Sequence, residues 1–233
     1  MICDESVPKK MLYGWLYNKL IQAPMKNSQL VKVANASILC LQKYSNKDSL
    51  ERQADAQGVT RALKDLRLQD LGVNKEKLET RGVGYRNILE KKGLRITIYM
   101  LPVGETIKLH NHPAMLVVSY VIQGRLEATL YSPTGSPGLY NKETSRLESE
   151  SLSYIDGLRT NHKNLHEFRA VEDTYFIDIL FPDYDDKREC TFFQEVEAIN
   201  EFVFKLKPTD PGEMTFFPIW KLIALDFYIL IFT

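Results

Sequence analysis

Leu94-Arg-Ile-Thr-Ile-Tyr-Met-Leu-Pro-Val-Gly-Glu-Thr-Ile-Lys-Leu-His-Asn-His-Pro113 is the stretch whose reading decides the fold. Its first eight residues, Leu94–Leu101, form an apolar run rich in β-branched and aromatic side chains, as a strand requires. His110-Asn-His112 follows soon after. In a strand, side chains at i and i+2 share a face, so both imidazoles point the same way. His166, in Leu165-His-Glu-Phe168, comes just before a second apolar run, Thr174-Tyr-Phe-Ile-Asp-Ile-Leu-Phe181. Neutral imidazole is the commonest protein ligand for iron, zinc and copper. Two imidazoles on one face and a third from a later strand make a three-nitrogen cap that leaves coordination positions open for chemistry.

Around this stretch the hydrophobic pattern alternates. Further strands are predicted over 115–122, 125–131, 152–155 and 165–171, with Gly124 punctuating a hairpin between the first two and a Pro/Gly-rich loop over 132–138. Many short strands at close spacing argue for a sandwich or barrel. Before about residue 90 the period is helical. Val31, Ala34, Ile38 and Leu41 recur at three- and four-residue steps, Leu12, Trp15, Leu16 and Leu20 suggest a shorter helix ahead, and Val59, Ala62, Leu63 and Leu66 a third. The expected organisation is a helical region over 1–90 packed on a β-barrel over 91–210, then an apolar tail over 211–233.

The 233 residues suffice for a sizeable core, and 30 basic against 30 acidic residues leave no net charge, which gives no argument for nucleic-acid binding. Three widely spaced cysteines, Cys3, Cys40 and Cys190, form neither a disulfide framework nor a Cys-x-x-Cys site, as in a reducing compartment. The polar N-terminus lacks a secretory pattern, so the cytoplasm is expected, with the nucleus left open. The tail from Phe216 approaches the minimum length of a membrane span, but Pro218, Lys221 and Asp226 interrupt it, and charges are costly in hydrocarbon. Packing against the barrel is the expectation there; a membrane anchor is the lesser alternative.

Gly104, five residues, His110-x-His112, four residues, Val117, six residues and Gly124 follow the first cupin motif, except that valine stands where glutamate is usual. His166 sits where the second motif has its histidine. The chain therefore resembles the three-histidine thiol dioxygenases, and within them the cysteamine dioxygenase and plant cysteine oxidase family. Leu101-Pro-Val-Gly104, Ile107–Met115, Leu165–Phe168, Ile177–Leu180, Pro182-Asp-Tyr184, Arg188–Thr191 and the helical stretch Leu63–Gly72 carry the likeness. It covers about residues 10 to 200 and not the tail.

The resemblance implies a mainly β fold, a cupin-type double-stranded β-helix barrel with an N-terminal helical region, and a monomer. It implies Fe(II) on His110, His112 and His166, O2 as co-substrate, and a thiol substrate bearing an amine, cysteamine or a protein's N-terminal cysteine, oxidised to a sulfinic acid. It places Asp178 in the family's active-site aspartate position, to hold an amino group or assist proton transfer, and Tyr184 beside the site. A carboxylate within so apolar a run is costly to bury without a partner, which marks Asp178 independently. His162, in a polar run, reads as a loop histidine, and Lys108 as an outward strand residue. Some relatives have Cys-x-Tyr where this chain has Cys190-Thr-Phe192; without the phenol no cross-link is expected, and Cys190 reads as a packed thiol. Two other readings stay open: a zinc- or manganese-dependent isomerase or hydrolase, and a catalytically silent cupin that binds a ligand or partner.

Overall fold

The structure, a computed structural model, describes residues 29–44, 49–71, 83–91, 93–156, 164–185, 188–210 and 216–218. Two helices lead, α1 (Gln29–Tyr44) and α2 (Ser49–Lys64), with a 3-10 turn at Leu68–Leu71. The strands are β1 (Val83–Lys91), β2 (Leu94–Leu101), β3 (Thr106–Asn111), β4 (Leu116–Gln123), β5 (Arg125–Pro133), β6 (Leu139–Glu148), β7 (Leu152–Asp156), β8 (Leu165–Ala170), β9 (Thr174–Phe181), β10 (Phe192–Ala198), β11 (Val203–Thr209) and β12 (Phe216–Pro218).

One sheet has the order β12-β1-β2-β9-β4-β7, and the other closes through β10-β11-β6-β5-β8-β3. Four strands of each, β2-β9-β4-β7 and β3-β8-β5-β6, interleave as the eight strands of a double-stranded β-helix, so the expected mainly β barrel with helices on one side is the observed fold.

β9 explains the architecture. All eight of its residues are buried, because both faces are covered. Ile177, Ile179 and Phe181 join an outer core with Leu30, Val33, Ile38, Leu63 and Leu66 of the helical layer. Phe176 and Leu180 join an inner core with Val117, Leu126, Ala128 and Phe168 between the sheets. A strand covered on both sides reads as a continuous apolar run rather than an alternating one.

Two of the motif's glycines have conformational reasons. Gly104 adopts φ +84° in the turn after β2, and Gly124 adopts φ +99° between β4 and β5, both in the region that side chains disfavour.

Two expectations change in detail. Residues 83–91 form strand β1 instead of continuing the helical region; β1 pairs antiparallel with β2 along its length. The buried face of α1 runs through Leu30, Val33, Ala34, Ser37 and Ile38, with Val31 at its margin. The short helix expected around Leu12–Leu20, His162 and the tail from residue 219 lie outside the described residues. Among the described residues no helix is long and apolar enough to cross a membrane.

Candidate metal centre

β3 and β8 lie side by side with His110 opposite His166 in the ladder. His112 follows immediately after β3, and its backbone N–H donates to the carbonyl of Asn164 at 3.1 Å, which ties it to the residue ahead of β8. The three rings converge with centroids 4.7 Å apart in every pair. Their Nε2 atoms stand 3.0 Å apart for His112 and His166, and 3.3 Å for His166 and His110. Adjacent sites on an ion with metal–nitrogen bonds of about 2.1 Å at right angles lie about 3.0 Å apart. The spacing therefore suits three ligands on one face of a single ion, and all three rings are buried.

Two of the tautomers are set by partners behind the rings. His110 Nδ1 is 2.8 Å from the carbonyl of Lys108, so Nδ1–H donates there and Nε2 keeps its lone pair. The Tyr184 hydroxyl donates to the carbonyl of Asn111 at 2.9 Å and is 2.7 Å from His112 Nδ1. Having given its own proton to the carbonyl, that hydroxyl accepts from His112 Nδ1–H, and Nε2 of His112 is again a lone pair. His166 Nδ1 is buried with no partner among the described residues. Burial pushes His110 down to about 4. It holds His112 and His166 well below the ordinary imidazole value, with the neighbouring imidazoles adding to the effect. Three neutral rings with their Nε2 atoms converging on one point, two of them held as lone pairs, are a donor set that fits a divalent metal ion. Val117 lies on the inner face in the core that holds Leu180, so the position where cupins usually carry glutamate offers no carboxylate.

Beside the rings is a cavity of about 120 Å³. Tyr99, Ile107, Phe168 and Leu180 give it apolar walls, and Asp178, Tyr184 and Cys190 give it polar groups. Asp178 sits in β9 opposite Thr97 of β2 on one side and Ser119 of β4 on the other. It is 7% exposed, and its Oδ1 has no hydrogen-bond partner among the described residues. Burial pushes its carboxyl up to about 7, against a lowering hydrogen bond from Ser119. Burial also raises the Tyr184 phenol well above its usual range, with Cys190 contributing.

The sequence-expected residues His110, His112, His166, Asp178 and Tyr184 thus surround one cavity. Cys190 differs from expectation: the residue is exposed rather than packed, and it lines the cavity with its thiol beside Tyr184. Phe192 stacks obliquely on His110, with centroids 5.7 Å apart. Sequence reasoning missed Tyr99, whose ring stacks on Phe176 at 5.0 Å. Its signal was available, since it shares a strand face with Thr97 and Arg95.

A family model described as PCO_ADO matches residues 50–216, the helix α2 through β12. The chain belongs to the PCO_ADO family. Among its relatives is the probable 2-aminoethanethiol dioxygenase of Dictyostelium discoideum, 23% identical over 183 residues, which are 69% of this chain and 80% of that protein. The 2-aminoethanethiol dioxygenase of Mus musculus is 30% identical over 143 residues, 50% of this chain and 56% of that protein; the chain thus spans just over half of the mouse enzyme. Plant cysteine oxidase 2 of Arabidopsis thaliana is 25% identical over 199 residues, 75% of this chain and 70% of that protein. Among solved structures, KdgF from Halomonas sp. aligns at 21% identity with a TM-score of 0.36, covering 49% of this chain and 96% of that one. The PCO_ADO match includes all three histidines, Asp178 and Tyr184.

Proposed function

We propose that this member of the PCO_ADO family is a ferrous-iron-dependent thiol dioxygenase that adds both atoms of O2 to the thiol of cysteamine or of a protein's N-terminal cysteine, giving a sulfinic acid. The observation that carries the reading is the convergence of three neutral imidazole Nε2 atoms, 3.0 and 3.3 Å apart, beside a buried carboxyl with an oxygen unpartnered among the described residues. His110, His112 and His166 would hold the ion. Bound there, iron would supply the redox chemistry that joins dioxygen to a thiolate, whose acidity a nearby cation also increases.

The chain's own residues do the rest. Asp178 Oδ1 has no donor among the described residues, so an ammonium group of the substrate is its natural partner, and that pairing draws the carboxyl down from about 7 towards its charged form. Tyr184 holds His112 in the tautomer that frees Nε2. Phe168, Ile107 and Leu180 keep bulk water from the reacting sulfur. Holding thiol and amine at two fixed points restricts the substrate to one orientation, which removes much of the entropy of encounter. If the substrate is a protein N-terminus, the enzyme marks that protein in an oxygen-dependent way and acts as an oxygen sensor, in the cytoplasm or nucleus.

The test is anaerobic reconstitution with Fe(II), admission of air, and mass spectrometry of cysteamine and of a Cys-initiated peptide. A gain of two oxygen atoms on at least one is expected. A gain on neither, or retention of zinc with no oxygen uptake, would falsify the reading.

A further inference from the structure

His110 and His112 both line the cavity. The residue between them is therefore directed away from it, because successive side chains of an extended chain take opposite faces. The reaction on sulfur gives Asn111 no task. The fold gives it three hydrogen bonds, all to one length of chain. Its backbone N–H donates to the carbonyl of Thr191 at 3.0 Å. Its side-chain Oδ1 accepts from the Thr191 N–H at 2.8 Å, and its carbonyl accepts from the Tyr184 hydroxyl at 2.9 Å.

That length of chain is a wall of the cavity, to which it contributes Tyr184, Cys190 and Phe192. Arg188 stitches it together, with its backbone N–H donating to the Asp185 carbonyl at 2.9 Å and its Nε–H to the Asp183 carbonyl at 3.2 Å. Phe192 pairs with His110 in the ladder, and its ring lies obliquely against that imidazole. Beyond Phe192 the chain runs into β10, where Glu195 accepts from the Tyr131 hydroxyl and, at 2.7 Å, from Lys142 Nζ. The wall is thus held at its far end by Glu195 and at the metal centre by Asn111.

The contact at Thr191 is selective in its chemistry. An amide N–H needs an acceptor, so an asparagine or aspartate oxygen serves and an apolar side chain of the same size does not. The histidines have other supports. His110 Nδ1 donates to the Lys108 carbonyl and the His112 backbone N–H to the Asn164 carbonyl. The Tyr184 hydroxyl reaches the backbone carbonyl of Asn111, which every substitution at that position keeps.

We propose that Asn111 is a positioning residue for the substrate: through its side-chain oxygen on Thr191 it fixes the wall that carries Tyr184, Cys190 and Phe192 against the histidine pair, and so sets the width of the cavity. This rests on the thiol dioxygenase reading for what the cavity holds. A wall ordered in advance spares the incoming thiol the entropy of ordering it, so the effect falls on substrate binding rather than on turnover.

The experiment compares Asn111→Ala, Asn111→Leu and Asn111→Asp with the wild type, all iron-loaded and anaerobic, after thermal melts and a measurement of iron per chain. Amide hydrogen exchange read by mass spectrometry reports on the wall directly. Exchange in the peptide that contains Thr191 is expected to quicken at least about tenfold in the alanine and leucine variants and to keep the wild-type rate in the aspartate variant. On admission of air, KM for cysteamine and for a Cys-initiated peptide should rise about fivefold in the two apolar variants, as for one lost hydrogen bond, with kcat within about twofold. Asn111→Asp should restore the wild-type KM. Wild-type exchange in the folded apolar variants would overturn the assignment. So would an unchanged KM, a loss confined to kcat, or an aspartate variant that behaves like alanine. Failure of both apolar variants to fold beside a folded aspartate variant would overturn it too, since the bond would then serve the fold alone. A wild type that oxidises neither thiol, with exchange still following the acceptor oxygen, sinks the dioxygenase reading and leaves the wall anchored by Asn111.

Discussion

Three imidazoles held neutral at one point give stability a pH dependence with a definite sign. An unfolded histidine takes up its proton near 6.5, whereas burial holds His110 to about 4 and the other two well below 6.5. Their contribution is complete above about 6.5 and is lost as pH falls towards 4 and below, so chelator-treated protein should unfold with acid across that window. Asp178 acts in the opposite sense. Its carboxyl, pushed up to about 7, keeps a proton that the unfolded chain releases near 4, so its contribution is complete below about 4 and is lost as pH rises to 7. In metal-free protein the melting temperature of Asp178→Asn, relative to wild type, should climb between pH 4 and 7 and level off above. A difference that is flat throughout would show the carboxyl to be no more buried than an ordinary one. Tyr184→Phe tests the neighbouring contact. With the hydroxyl gone, His112 Nδ1 has lost the acceptor 2.7 Å away that fixes its tautomer. Affinity for Fe(II), read by competition titration, should fall about 10- to 100-fold, and an unchanged affinity would remove Tyr184 from that role.

At the scale of elements, the β4–β5 hairpin turns on one glycine. A Cβ on Gly124 would stand 2.5 Å from the carbonyl oxygen of Asp173 and 2.5 Å from Thr174 Oγ1, at φ +99°. Gly124→Ala therefore combines a backbone clash with a strained dihedral and should destabilise by about 2–4 kcal/mol. Chemical denaturation would measure it, and a loss below about 0.5 kcal/mol would mean that the Asp173–Thr174 turn gives way freely. Of the strands that the sequence revealed, β2, β4, β5, β8 and β9 bury most of their residues and β7 buries alternate ones, Ser153 and Ile155, so their apolar runs or alternation are strong. The others are weaker for physical reasons. β6 is largely exposed, with Leu147 its one buried residue. β10 has no buried residue and β11 only Leu206; ladder hydrogen bonds to each other hold both, and these leave no mark in the hydrophobic pattern. β1 carries Gly84, Tyr85, Arg86 and Asn87, mixed in polarity and bulged between Asn87 and Leu89, and so gives no clean period-2 signal.

On the scale of the whole molecule, one sheet separates two cores with different tasks. Its outer face meets the helical layer, and its inner face meets the second sheet and the metal-competent cavity. A fault in the outer core should lower stability without displacing the histidines. Leu63 is fully buried at the end of α2, and Leu63→Ala should destabilise by about 2–5 kcal/mol while iron bound per chain stays at its wild-type value. Loss of bound iron in the folded variant would show that the helical layer shapes the site as well as supporting it. By itself the sequence determined the fold class and which residues gather, because period-2 alternation, paired turns and the spacing of His110, His112 and His166 are properties of the chain read locally. The tertiary structure alone decided which nitrogen of His110 and of His112 is free, that Asp178 keeps an oxygen unpartnered among the described residues, that Cys190 is exposed, and that Tyr99 lines both the cavity and a depression beside β1. Those depend on ladder register between strands far apart in the chain, and no local pattern encodes which side chains such a register brings face to face.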